Sequence, residues 1–103
     1  MKGSAPNKAE KKYWSDLADN VGCIACYKEA GIYNGYVSIH HIAGRTKPGA
    51  HMLVLPLCSS HHQDDGSGVI AVHPYKARFE RMYGPQMRLK EECDEMLKAA
   101  GKL

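Results

Sequence analysis

Cys58-Ser59-Ser60-His61-His62, taken together with Cys23-Ile24-Ala25-Cys26, decides how this chain folds. Each half offers two metal-type donors separated by two residues, a gap that brings both side chains onto one small turn. Between the halves lies Tyr36-Val37-Ser38-Ile39-His40-His41-Ile42, which alternates and is rich in β-formers. The turn-forming stretch 43–50 follows, and then the apolar run Met52–Leu57. This order predicts a β-hairpin that carries the second half-site back beside the first, with Pro56 marking an edge or a strand end. Three thiolates and one imidazole converging in this way suit tetrahedral Zn²⁺. Spacing alone admits His61 or His62 as the fourth donor. His61 repeats the two-residue gap and leaves His62 for another role. A redox or free-thiol pair beside an unrelated histidine would not explain two matched half-sites flanking a hairpin. A Cys-x-x-Cys oxidoreductase would also need a βαβ setting, which 31–42 does not supply.

Outward from this centre the helices are legible. Met1 to Pro6 are expected to be loose. Asn7 and Glu10 form a capping-box signature that opens a helix over 7–21, with Tyr13, Trp14, Leu17, Ala18 and Val21 on one face. A knuckle is expected at Cys23–Cys26 and a turn region from Gly31 to Gly35. A short helix should start at Cys58 and stop at Gly66 and Gly68. Pro74 can open a further helix presenting Tyr75, Phe79, Met82 and Tyr83. After Gly84-Pro85, a last helix should turn Leu89, Cys93, Met96, Leu97 and Ala100 inward. The expected organisation is one α+β domain over 1–103. Its parts are an N-terminal helix (7–21), zinc knuckles and hairpin core (22–73), and C-terminal helices (74–101).

Composition bounds the function. With 103 residues, 44% of them hydrophobic and 24% charged, the chain reads as one ordinary globular domain, small enough that a metal staple is unsurprising. No apolar stretch approaches a bilayer-spanning length, and no apolar segment follows Lys2 as a secretory signal would require. A membrane partner is therefore not expected. The default setting is the cytosol, where cysteine pairs favour metal over disulfide. A net charge of +3 permits an anionic partner without demanding one.

Six histidines fall between His40 and His73, four of them as adjacent pairs, which points to metal binding or proton transfer. The two cysteine half-sites resemble a treble-clef zinc finger. Ile39-His40-His41-Ile42, followed by Leu55-Pro56-Leu57-Cys58 and His61-His62, resembles the HNH (ββα-metal) endonucleases. Pro56–His62 with Val72-His73-Pro74 and Phe79…Tyr83-Gly84 is similar to the phage recombination-associated, RecA-dependent members, over roughly residues 20–84. The resemblance implies a zinc-stapled ββα-metal domain with flanking helices that hydrolyses DNA. It makes His40 and His62 ligands of a catalytic Mg²⁺ or Mn²⁺ and His41 the general base. It further implies a RecA filament as the partner that delivers substrate, and the cytoplasm of a bacterial host of a phage or prophage.

The chain departs from the common pattern in two places. One turn after the helix histidine stands Gly66, which offers no ligand. If a third protein ligand exists, Asp64, Asp65 or His73 must supply it, and the resemblance favours His73. The Asn of the namesake motif is also missing from His51-Met52-Leu53-Val54, so His51 either braces the catalytic loop or is an ordinary loop histidine. Arg45 and Lys47 are the candidate phosphate contacts, with Lys76, Arg78 and Arg81 able to extend the surface. The rival reading is a treble-clef module that binds nucleic acid or serves structurally without catalysis. It shares the cysteines but has no use for His41 beside His40.

Overall fold

Residues 4–103 are described by a computed structural model, and Met1, Lys2 and Gly3 lie outside the described residues. Helix α1 (Lys8–Asn20) starts because Asn7 Oδ1 accepts the Glu10 N–H while Glu10 Oε1 accepts the Asn7 N–H, each at 2.8 Å. Gly22 follows with φ 69° and reverses the chain into the first half-site. There the sequence expectation of a plain knuckle is incomplete. Cys23 is the N-cap of a second helix, α2 (Ile24–Ala30), which Gly31 closes in the left-handed conformation. Seven residues are too few to show helical periodicity, and the thiol cap replaces the usual hydroxyl or carboxylate signal.

Strand β1 (Val37–His41) pairs antiparallel with β2 (Val54–Cys58), His40 opposite Leu55 and Ile39 opposite Pro56. The Ile42 N–H donates to the Leu53 carbonyl at 2.9 Å. Hydrogen-bonded and non-hydrogen-bonded pairs alternate from there, so Pro56 occupies a non-hydrogen-bonded pair and its missing N–H costs the ladder nothing. Between the strands, a 3₁₀ turn (Ala50–Met52) occupies the start of the expected second strand. β2 is buried at every position, because α1, α2 and α5 (Gln86–Ala99) all pack on it. This is a small α+β molecule: a two-stranded sheet wrapped by helices. No helix among the described residues is long and apolar enough to cross a membrane.

The helices after β2 differ from expectation in ways that matter for the site. Helix α3 (Ser59–His62) ends well before Gly66. The chain loops out through Asp64–Ile70 and returns alongside the end of α3. Val72 N–H donates to the His61 carbonyl at 2.9 Å, and His73 N–H to the His62 carbonyl at 3.2 Å. Being tied there, the segment releases only at Pro74. Helix α4 therefore begins at Lys76 rather than at Pro74, and runs to Tyr83. Phe79 and Tyr83 enter the core, whereas Met82 is 56% and Tyr75 38% exposed; Ala100, expected inside, is exposed. Leu17, Ile24, Leu55, Leu57, Phe79, Leu89 and Leu97 form the buried centre with Cys93. Each such side chain contributes about 1.5–3 kcal/mol by leaving water.

Candidate metal centres and the histidine cavity

Cys23, Cys26, Cys58 and His61 converge where the α2 N-terminus meets the β2–α3 junction. His61 Nδ1 lies 3.5 Å from Cys23 Sγ, 3.6 Å from Cys26 Sγ and 3.2 Å from Cys58 Sγ, and the Cys26 and Cys58 sulfurs are 3.8 Å apart. Tetrahedral Zn²⁺, with bonds of roughly 2.3 Å to sulfur and 2.0 Å to nitrogen, sets those edges at about 3.5 Å and 3.8 Å. The donor set therefore fits a metal ion and is consistent with structural zinc. Burial pushes the Cys23 thiol up to about 12, outweighing hydrogen bonds that favour its thiolate, and burial also raises Cys26. Thiols so placed ionise together only with a cation among them. The far side of the His61 ring is tied down: Nε2 donates to Tyr83 Oη at 3.0 Å, and Tyr83 donates to Glu29 Oε1 at 3.1 Å. Such outer contacts fix a ligating imidazole's orientation. Between His61 and His62, the structure puts His61 in this cluster.

His62, the next residue on α3, turns to the other side. There it meets His40 from β1 and His73 from the returning segment, one ligand-type nitrogen of each lying within 4.8 Å of the others. The His40 ring centroid is 5.3 Å from that of His62 and 5.0 Å from that of His73. α3 ends at His62, so no further helical turn exists to supply a third donor; the backbone bonds of 72–73 to α3 bring His73 instead. Asp64 and Asp65 are engaged locally: Asp64 takes the Gly66 N–H, and Asp65 takes the Ser60 hydroxyl and the Ser67 N–H. These histidines wall an open cavity of about 510 Å³ together with His41, Arg45 and Gln86.

Second partners orient the rings. Gln86 Nε2 donates to Glu80 Oε2 at 3.0 Å, so its Oε1 faces His40 and accepts from Nε2–H at 2.7 Å. His40 Nδ1 is thereby the nitrogen left to ligate. Burial, helped by the charges His62 and His73 would carry, lowers His40 to about 4 against the Gln86 bond, so the ring is neutral. Ser38 Oγ occupies His62 Nδ1 at 2.6 Å, leaving Nε2. Neither Gln86 nor Glu80 was legible as a site residue, because a polar residue at the start of one helix and an acidic residue within another have many ordinary uses.

His41 ends β1 on the same cavity. Burial lowers its pKa, as do Arg45, His51 and His62. Its Nε2 lies 3.0 Å from His51 Nδ1. Trp14, expected as plain core, stands edge-on to both rings with centroids 5.6 and 5.5 Å away, and donates Nε1–H to the His51 carbonyl at 2.7 Å. Arg45 and Lys76 line the cavity; Lys47 is exposed on the loop and is not on its wall. Arg78 and Arg81 line a separate shallow depression with Ile70 and Met82.

Fold and site together define a small α+β protein with, among the described residues, two candidate metal centres: one rich in sulfur and closed, the other all imidazole and open to solvent. Residues 6–98 match the family described as recombination enhancement, RecA-dependent nuclease. The match spans nearly the whole chain, and the chain belongs to that family. The family's description makes it a nuclease connected with recombination.

Proposed function

We propose that this chain is an HNH-type (ββα-metal) endonuclease domain that hydrolyses DNA phosphodiester bonds, with His41 as general base. The single observation carrying this reading is the meeting of His40, His62 and His73 on one open cavity, with His41 beside them. His40, His62 and His73 would hold one divalent cation, Mg²⁺ or Mn²⁺. When bound, that ion supplies charge stabilisation at the scissile phosphate and leaving oxygen. Of the two, the all-imidazole donor set favours Mn²⁺, since Mg²⁺ prefers carboxylate and water oxygen.

His41 does the proton work. With Nε2 engaged by His51, its Nδ1 is the nitrogen available to take a proton from the attacking water. A ring kept neutral near working pH suits that step. Arg45 and Lys76 on the cavity wall would meet phosphate oxygens, with Lys47 extending the contact along the loop. Cys23, Cys26, Cys58 and His61 would hold structural Zn²⁺ within a treble-clef-like frame, the whole of 1–103 acting as one domain. A RecA filament is the expected platform for substrate, in the cytoplasm of a bacterial host of a phage or prophage.

The test is cleavage of supercoiled and single-stranded DNA with Mn²⁺, Mg²⁺ or EDTA, with and without a RecA filament, comparing wild type with folded His41→Ala. Metal-dependent cutting that falls by about 10²-fold or more in His41→Ala is expected. Equal cutting by both proteins would mean that another group is the base. Binding without cutting under every condition would leave the non-catalytic zinc module.

A further inference from the structure

Building on the reading of His41 as base, we infer that His51 is a positioning residue. It fixes the His41 ring through a relay that ends on the backbone carbonyl of Ser4. His51 is 5% exposed and its Nε2 lies 2.5 Å from the Ser4 oxygen. A carbonyl only accepts, so Nε2 of His51 carries the proton. In a neutral ring Nδ1 is then bare. That bare nitrogen faces His41 Nε2 at 3.0 Å, so His41 Nε2 must donate and His41 Nδ1 is bare in turn. The opposite arrangement would set two lone pairs against each other at the Ser4 carbonyl and leave the buried His51 ring without that bond.

Trp14 makes the relay rigid. Its indole donates to the His51 carbonyl, fixing the 3₁₀ turn, and its edge fills the space beside both imidazoles. Ser4 is thereby tied to the site, since its carbonyl terminates a chain of three acceptors running to β1. In the proton step, His41 Nδ1 takes the proton of the attacking water as the water oxygen bonds to phosphorus; the P–O bond to the leaving oxygen breaks, and that oxygen takes its proton from solvent. His41 Nε2–H stays bonded to His51 throughout, and His51 neither gains nor loses a proton. His51 acts only by holding the ring and by accepting a stronger bond once His41 is positively charged.

An asparagine at 51 keeps an amide oxygen where Nδ1 stands, toward His41, although its amide nitrogen stops short of Ser4; leucine offers no acceptor at all. The experiment uses the full-length, zinc-loaded chain and two readouts. In nitrogen-15 NMR of the wild type, His41 Nε2–H should be protected from solvent exchange and coupled across the hydrogen bond to His51 Nδ1. His51→Leu should lose that protected proton and lower kcat about 10- to 100-fold with KM little changed, and His51→Asn should restore both. An unprotected His41 Nε2–H in the wild type would overturn the relay without any variant, so a misfolded His51→Leu does not decide the matter. Loss of kcat in His51→Leu that His51→Asn fails to rescue would also overturn it, reducing His51 to packing. If His41→Ala still cuts, the base reading fails, while the NMR coupling continues to report on the relay alone.

Discussion

At the residue scale, burial keeps His40 neutral, the state in which an imidazole can ligate a metal ion. His40 is 3% exposed, and its imidazole is lowered from the ordinary 6.5 to about 4. Protons therefore compete weakly for the nitrogen that Gln86 leaves free. The same shift couples stability to pH. Between about 4 and 6.5 the unfolded chain binds a proton at this position that the folded chain refuses, so folding becomes less favourable as pH falls. The contribution is fully present above 6.5 and is lost progressively toward 4. Urea unfolding should show a midpoint that declines across this window, with proton uptake on unfolding greater than that of His40→Asn by up to about one. Identical pH slopes for the two proteins would mean that His40 is not held neutral by its surroundings. Burial lowers His61 and His62 in the same direction, so the variant comparison isolates His40.

At the element scale, the junction between α1 and α2 sets the geometry of the first half-site. Gly22 sits at φ 69°, and a Cβ there would meet the Asn34 carbonyl oxygen at 2.7 Å, while the neighbouring Cys23 N–H donates to that oxygen at 2.8 Å. Asn34 also places Nδ2 3.8 Å from Cys26 Sγ. Gly22→Ala should therefore destabilise the fold by about 1–3 kcal/mol and speed loss of the ion to a competing chelator. Chemical denaturation and a chromogenic chelator assay would check both, and an unchanged stability would mean that the 31–35 segment gives way freely. The same junction shows what sequence could and could not reveal. The capping box at Asn7 and the strand alternation around His40 are local patterns and could be read directly. The pairing of Cys23-x-x-Cys26 with Cys58-x-x-His61 could also be read, because spacing within each half is local and the hairpin supplies the return. α2 was invisible, since it is short and capped by a thiol. The backbone bonds that seat His73 beside His62 were equally hidden. Gln86, Trp14 and Ser4 reach the histidines across long sequence separations, and nothing in their immediate neighbours marks them. His51 was ambiguous for the same reason: its meaning lies in what touches its two nitrogens.

At the scale of the whole molecule, the two centres are built back to back. One four-residue helix gives His61 to the thiolate cluster and His62 to the open cavity. The core of so small a chain is shared as well, with Cys23 and Cys58 belonging to it. Removing the ion at the thiolate site should therefore unfold the domain rather than merely empty one site. Elemental analysis should find about one tightly held Zn²⁺ per chain, and chelation should abolish the circular dichroism of the helices together with any second-site binding. His62→Ala should keep both zinc and helicity while losing the added divalent ion. Two or more tightly held zinc ions would instead make the histidine cluster a second structural site. The shared helix also sets a clock. Once a zinc-selective chelator, with Mg²⁺ or Mn²⁺ kept in excess, has captured every zinc that escapes, cleavage should decay with a single half-life equal to the residence time of that zinc. No interval should exist in which the stapling ion has departed and the blade still cuts.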